Sequence, residues 1–455
     1  MNIKKLISLV TASMIASTLL FSGCASKTAE VKPNAEGKPV TIRIWHTPQW
    51  KGVMSASETG ADYDSFFKYA ASEFTKKNPN IKVQVEVVPA DQRNDKLSVA
   101  MQTKTLPDMF YEASFAMSQF VHSGVVLPLN DIIDDASQKD IPQAIWDSVT
   151  IENNIYWFPF SSAPGSLMYN ADMFKKAGLD KYIGGQYDIA SWTPEEYKTI
   201  LETLKAKLPG VAPMGLFAKN NQADTWNLAY LRMFGTKFFD ENSKIVVNDE
   251  AGVKALTYIV DAYKSGLTAP GAESLTPNDC STMFQNQKMA INFGSSANVI
   301  STISDMKSKK APTFDLRIAN IPGQTPLSFA YLYGTLAFDT GDAERIAASK
   351  KFIEFVSTDP ELVKASKNGV PVRDSVIPKV KGDMPYLDAY SKNTKNYFNF
   401  SNNVPGYAEL RNVLFPELQA ALTGAKTPKQ ALDSYTEKGN AVIEKNKKLS
   451  QVLNK

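Results

Sequence analysis

Between residues 40 and 87 the apolar side chains alternate, then recur at helical spacing, then alternate again. That passage constrains the fold more than any other. Val40, Ile42 and Ile44 share one face of a strand. Over residues 63–77, Phe66, Phe67, Ala70 and Phe74 fall on one helical face, and Asn78-Pro79 stops the helix. Ile81, Val83, Val85 and Val87 then alternate in a second strand. Strand, helix, strand with such connections is a βαβ unit, which closes right-handed and lays its strands parallel.

The pattern recurs with a helix near 92–103 and a short apolar stretch, Met109-Phe110, after Leu106-Pro107-Asp108. Further on, Thr193 as N-cap, Pro194 and Glu196 make a capping box. Residues 249–265 read as a helix closed by Gly266, and strands return at 290–293 and 335–338. A long helix covers 342–357, and a helical tail covers 408–450 with a break around Gly424 to Pro428. The class is α/β. With 455 residues, 43% of them hydrophobic, the chain supports two domains.

The N-terminus reads as an export signal. MNIKK is followed by an apolar run over residues 6–21, shorter than the about 20 residues needed to span a bilayer. The run ends at Ser22-Gly23-Cys24, which resembles the lipobox of bacterial lipoproteins, where the cysteine is lipidated. Residues 1–23 are then a signal peptide. Cys24 and the polar stretch to residue 39 form an anchor and a tether reaching on the order of 20 Å as a coil. This places the protein outside the cytoplasm, held to the cell membrane. Cys280, the other cysteine, is left without a partner.

Basic and acidic residues nearly balance, 50 against 47, so there is no charge footprint for nucleic acid. His46 and His122 are the only histidines, which excludes HExxH and histidine-rich zinc sites. Phosphate-loop, dinucleotide and nucleophile-elbow glycine motifs are absent. Ser65–Lys68 and Ser304–Lys307 have SxxK spacing without its companion motifs. No catalytic residue, cofactor or metal is expected.

Several passages occur in an order that carries a resemblance: FTKKNPNIKVQVEVVP, LPDMFYEA, NNIYWFPFSSAPGSLMYNADMFKKAGL, SWTPEEYKTILETLK, MFQNQKMAINFG, KKFIEFVSTDPELVKASKNGVPVRDSV and LQAALTGAKTPKQAL. The chain resembles the carbohydrate-binding, maltose-binding-protein-like extracellular solute-binding proteins of ABC importers over nearly all of its mature length. The resemblance implies two α/β lobes, each a sheet flanked by helices, with a ligand cleft between them. Lobe 1 would be 40–162 plus 319–365, and lobe 2 would be 163–318 plus 366–455. It implies a sugar ligand, permease subunits as partners, a monomer, and no enzymatic activity. A non-sugar solute on the same scaffold (a peptide, polyamine or organic anion) is the alternative, followed by a surface carbohydrate-active enzyme. A carboxylate-binding version should bring arginines or lysines together at the strand ends, whereas these loops hold Lys51 and Arg93 among aromatic and neutral residues.

A sugar offers apolar C–H faces and a rim of hydroxyls, so its site needs aromatic platforms and planar polar groups just beyond strand ends. His46, Gln49 and Trp50 follow the first strand and are candidates. Trp45 either joins them or packs under a helix. Glu112 and Ser114 follow the LPDMF strand, and Ser162 lies in the crossing SSAPGS. Asp224 and Trp226, with Asn221 and Gln222, sit near a helix start whose counterpart in maltose-binding protein faces the cleft. Tyr407 and Arg373 are assigned to late second-lobe segments. Trp146, Trp157 and Trp192 are assigned to packing, and Asp108 to tying down its turn. Many relatives have an aromatic two residues after the glycine of the AINFG passage, but this chain has Ser296 there.

Overall fold

The computed structural model describes residues 38–53, 58–219, 224–365, 369–380 and 385–453. Its first strand, Val40–His46, pairs in parallel with Ile81–Val87 and with Met109–Ala113, as the βαβ reading requires. The intervening helix, Ser65–Lys77, buries Phe66, Phe67, Ala70 and Phe74 against this sheet. Each phenylalanine withdrawn from water stabilises by about 1.5–3 kcal/mol. At the helix end Asn78 offers both its backbone N–H and its side-chain amide to the Phe74 carbonyl.

The sheet is mixed. Ala330–Phe338 runs antiparallel to Met109–Ala113 on one side and to the first part of Phe158–Asn170 on the other. This last strand is 13 residues long and buried throughout. From Leu167 onward it pairs with Leu316–Ala319, and from Gly165 onward with Met289–Ser295. One strand therefore belongs to two sheets, and the chain passes between lobes without leaving extended conformation. Gly165 sits at the passage, where a Cβ would come within 2.5 Å of the Phe329 ring. Val370–Pro371 pairs with Ser161 and Ser162 in the first half of the crossing strand. Arg373, which the sequence reading assigned to a late second-lobe segment, donates to Asp140, Ser137 and the Ser357 carbonyl, residues that the same reading assigned to the first lobe.

The second lobe adds Ala212–Met214 beside Met289–Ile291 and packs helices around the pair. Thr193 and Glu196 form the capping box of Pro194–Lys207. Glu250–Lys264 runs to Ser265, with Gly266 beyond it at φ +62. Tyr407–Leu422 and Pro428–Leu453 pack together across the break at Gly424, which adopts φ +79. Asp108 accepts the Arg43 backbone N–H at 2.7 Å and pairs with Arg345, anchoring the turn before its strand. Among the described residues no helix is long and apolar enough to cross a membrane.

Candidate ligand-binding site

The polar groups beyond the first-lobe strands form one network. The Thr47 hydroxyl, next after the first strand, donates to Glu112 Oε2 at 2.6 Å and accepts from Gln49 Nε2 at 2.6 Å. Glu112, at the end of the Met109–Ala113 strand, also takes Arg93 Nη1 at 3.0 Å and the Ala113 N–H at 2.8 Å. With 4% of its surface exposed, Glu112 holds Arg93 from behind. Arg93 opens the helix Arg93–Gln102.

The second lobe repeats this device. Asp224, at the start of Asp224–Leu231, is 2% exposed. It accepts from the Tyr407 hydroxyl at 2.5 Å and from Arg411 Nε at 2.8 Å. Burial opposes the Arg411 charge, but Asp224 and its other neighbours more than offset this and its pKa is raised. Each carboxylate nominated from sequence thus orients an arginine.

Both arginines line one cavity of about 470 Å³, with Asp91 and Phe115 on the first-lobe wall and Tyr407 and Glu409 on the second. Three helices begin at this cavity: Arg93–Gln102, Ser114–His122 and Tyr407–Leu422. None of the three has a side-chain cap on its N-terminal amides. Phe115 bridges the lobes, its ring centroid 5.5 Å from Phe400, 6.0 Å from Tyr407 and 5.8 Å from the Arg411 guanidinium. Deeper in the junction, His122 Nε2 lies 2.7 Å from the Asn403 carbonyl, and Asn403 donates to the Ser148 carbonyl.

The other nominated residues take varied positions. Trp45, 7% exposed, is in the first-lobe core with the Lys96 ammonium 4.2 Å over its ring. His46 is buried against Phe67, with Nδ1 3.0 Å from the Thr47 carbonyl, and burial lowers its pKa. Trp50 is partly buried, with its ring against Phe66, Tyr111 and Phe160. Trp226, 5% exposed, is packed between Phe293 and Phe329 in the second lobe. Trp45 and Trp226 therefore have the surroundings of packing residues. Ser162 donates to the Val370 carbonyl at the crossing, and Ser114 lines a separate small recess with Tyr397 and Phe400. Cys24, Asn221 and Gln222 lie outside the described residues.

Sequence reasoning did not nominate Asp91, Arg93, Phe115, Glu409 or Arg411. Strand-end logic applied to Ile81–Val87 reaches Asp91 and Arg93. No periodic signal marks Arg411, which shares a cavity with Arg93 only through the fold. At Ser296 the chain forms a helix start: Ser295 and Asn298 cap Ser296–Lys307 reciprocally.

The profile of the bacterial extracellular solute-binding protein family matches residues 57–361. A binding protein of Brucella abortus (strain 2308) is 21% identical over 401 residues, covering 86% of this chain and 93% of the relative. The arabinooligosaccharide-binding protein of Bacillus subtilis (strain 168) is 24% identical over 266 residues, 57% of this chain and 55% of its own. Among solved structures, the cyclic alpha-maltosyl-1,6-maltose binding protein of Arthrobacter globiformis superposes with TM-score 0.72 at 22% identity, covering 90% of this chain and 100% of that one. The structural likeness establishes a shared two-lobe fold. The profile match extends over more than half of the sequence, and the chain belongs to the bacterial extracellular solute-binding protein family.

Proposed function

We propose that this protein is a lipid-anchored receptor that binds a sugar between its lobes and delivers it to an ABC-type import permease. The observation that carries the reading is the interlobe cavity, to which each lobe contributes a guanidinium backed by a buried carboxylate. Planar donors beside carboxylate acceptors match hydroxyl pairs on a sugar ring. Contributions from both lobes give a ligand purchase on the closed state, the condition for a hinge signal. The oligosaccharide-binding relative supports the same class.

In this reading Tyr407, Arg93 and Arg411 face the ligand, Glu112 and Asp224 position the arginines, and Gln49 and Trp50 shape the first-lobe wall. His46 packs behind the first-lobe wall, Ser162 supports the crossing, Ser114 lines the neighbouring recess, and Cys24 carries the lipid. The strand pairings favour lobe crossings at 163–165, between 319 and 330, and beyond 375. A thermal-shift screen of glycans against the protein tests the proposal. A sugar at 100 times its Kd should stabilise by about 2.7 kcal/mol. A shift with amino acids or peptides and none with any sugar refutes it.

A further inference from the structure

The walls of the interlobe cavity carry no surplus positive charge. Asp91 and Arg93 stand on one side, Glu409 and Arg411 on the other. Behind them Glu112 and Asp224 already neutralise the arginines, and Lys445 pairs with Glu409 at 3.0 Å. The uncapped helix starts also have acidic company, since Asp95 and Glu409 lie in the first turns of their helices. An anionic ligand would find no unmatched cation here.

Hydrogen-bonding capacity remains. A guanidinium has five N–H donors. Arg411 uses only Nε, on Asp224, while Arg93 uses Nε on Asn94 and Nη1 on Glu112. Among the described residues the remaining terminal nitrogens have no protein acceptor, and the Asp91 carboxylate has no donor. Donors and acceptors side by side suit neutral hydroxyls, each of which is both.

Apolar contact on the wall comes from Phe115. Its ring is half-buried and held by Tyr331 at 5.6 Å and Phe400 at 5.5 Å. Tyr407 beside it is buried, with its hydroxyl committed to Asp224. The rings a longer chain of sugars would need are engaged elsewhere, Trp50 with Phe66 and Phe160, and Trp226 with Phe293 and Phe329. A volume of 470 Å³ is near the lower end of the about 300–1,000 Å³ typical of small-ligand sites.

We infer that this cavity takes a short, neutral, polyhydroxylated ligand, a mono- or disaccharide, with Phe115 as the face on which it stacks. The inference rests on the sugar-receptor reading above and narrows it. Calorimetric titration of the full chain tests it with neutral mono- and disaccharides, longer neutral oligosaccharides of the same linkages, and uronic acids. The expected result is saturable binding of a neutral mono- or disaccharide, with the longer and acidic sugars weaker by about tenfold or more, a difference of about 1.4 kcal/mol. Phe115→Ala and Phe115→Leu should each lose about tenfold for the best ligand, while Phe115→Tyr, which keeps the ring, retains binding. Phe115→Leu preserves apolar volume, so it carries the comparison if the alanine variant does not fold. Tighter binding of longer chains or of uronates overturns the inference and leaves a sugar receptor standing, as does unchanged affinity in folded Phe115→Leu. Binding of amino acids or peptides with no sugar of any length removes the receptor reading itself.

Discussion

Arg93 and Arg411 reach the cavity because a buried carboxylate holds each from behind, so the two kinds of residue should fail differently when replaced. On the proposed reading, Arg411→Ala removes a ligand contact and leaves Asp224 still hydrogen-bonded to Tyr407. It should weaken sugar binding by about tenfold or more, the scale of hydrogen bonds to a charged group. Asp224→Ala leaves Arg411 and Tyr407 without their shared acceptor. Breaking a buried pair costs about 3–5 kcal/mol, and the low end applies because Arg411 borders the cavity. Chemical denaturation of the unliganded protein should therefore separate them, with Asp224→Ala clearly destabilised and Arg411→Ala less so. Equal loss of stability in both would refute this division of roles. The histidines give a second residue-scale prediction. Burial lowers the pKa of both His46 and His122, so below about pH 6.5 the unfolded chain binds protons that the folded chain refuses. Stability should be full above that pH and decline as pH falls toward the depressed folded-state values. Replacing His46 with Gln should flatten part of the decline in a melting series, and an unaltered slope would exclude His46 as a source.

At the scale of elements, Asp224–Leu231 performs two tasks. Its first residue addresses the cleft through Arg411, and Trp226, two residues on, lies between Phe293 and Phe329. Trp226→Ala should therefore cost about 3–5 kcal/mol through the cavity it leaves, read as a large fall in melting temperature without ligand. A variant that melts like the parent yet binds no sugar would return Trp226 to the ligand. This helix marks where the sequence stops being informative. The elements around it were legible because their signals are local: Thr193, Pro194 and Glu196 cap one helix, Gly424 breaks another, and Phe66 to Phe74 keep a helical period. Asp224 was legible as a polar group at a helix start, but whether it faces ligand or a partner depends on Tyr407 and Arg411, which the fold brings from a distant segment. Phe115 and Glu409 were not nominated for the same reason. Nothing near them in sequence distinguishes a cavity wall from an ordinary helix face. The mixed sheet was also hidden, because the direction of Ala330–Phe338 is set by its return across the lobes.

For the whole molecule, the connection between lobes determines what ligand binding can change. Phe158–Asn170 is one unbroken strand serving both sheets, with Gly165 at the point where its pairing passes from one to the other. The lobes already touch through Phe115, Tyr407 and Asn403. Three helix starts meet at the cavity without side-chain caps, leaving first-turn amides for water or ligand to satisfy. A ligand bridging the lobes should cover those amides and hold the junction closed. Hydrogen exchange should therefore slow on sugar binding in segments 90–96, 114–119 and 403–411, three regions distant in sequence. The outer helix Glu250–Lys264, buried on its own lobe's side, should exchange as before. Protection confined to one lobe's segments would mean that the ligand binds one wall without closing the cleft, and uniform slowing throughout the chain would mean general stabilisation in place of a hinge.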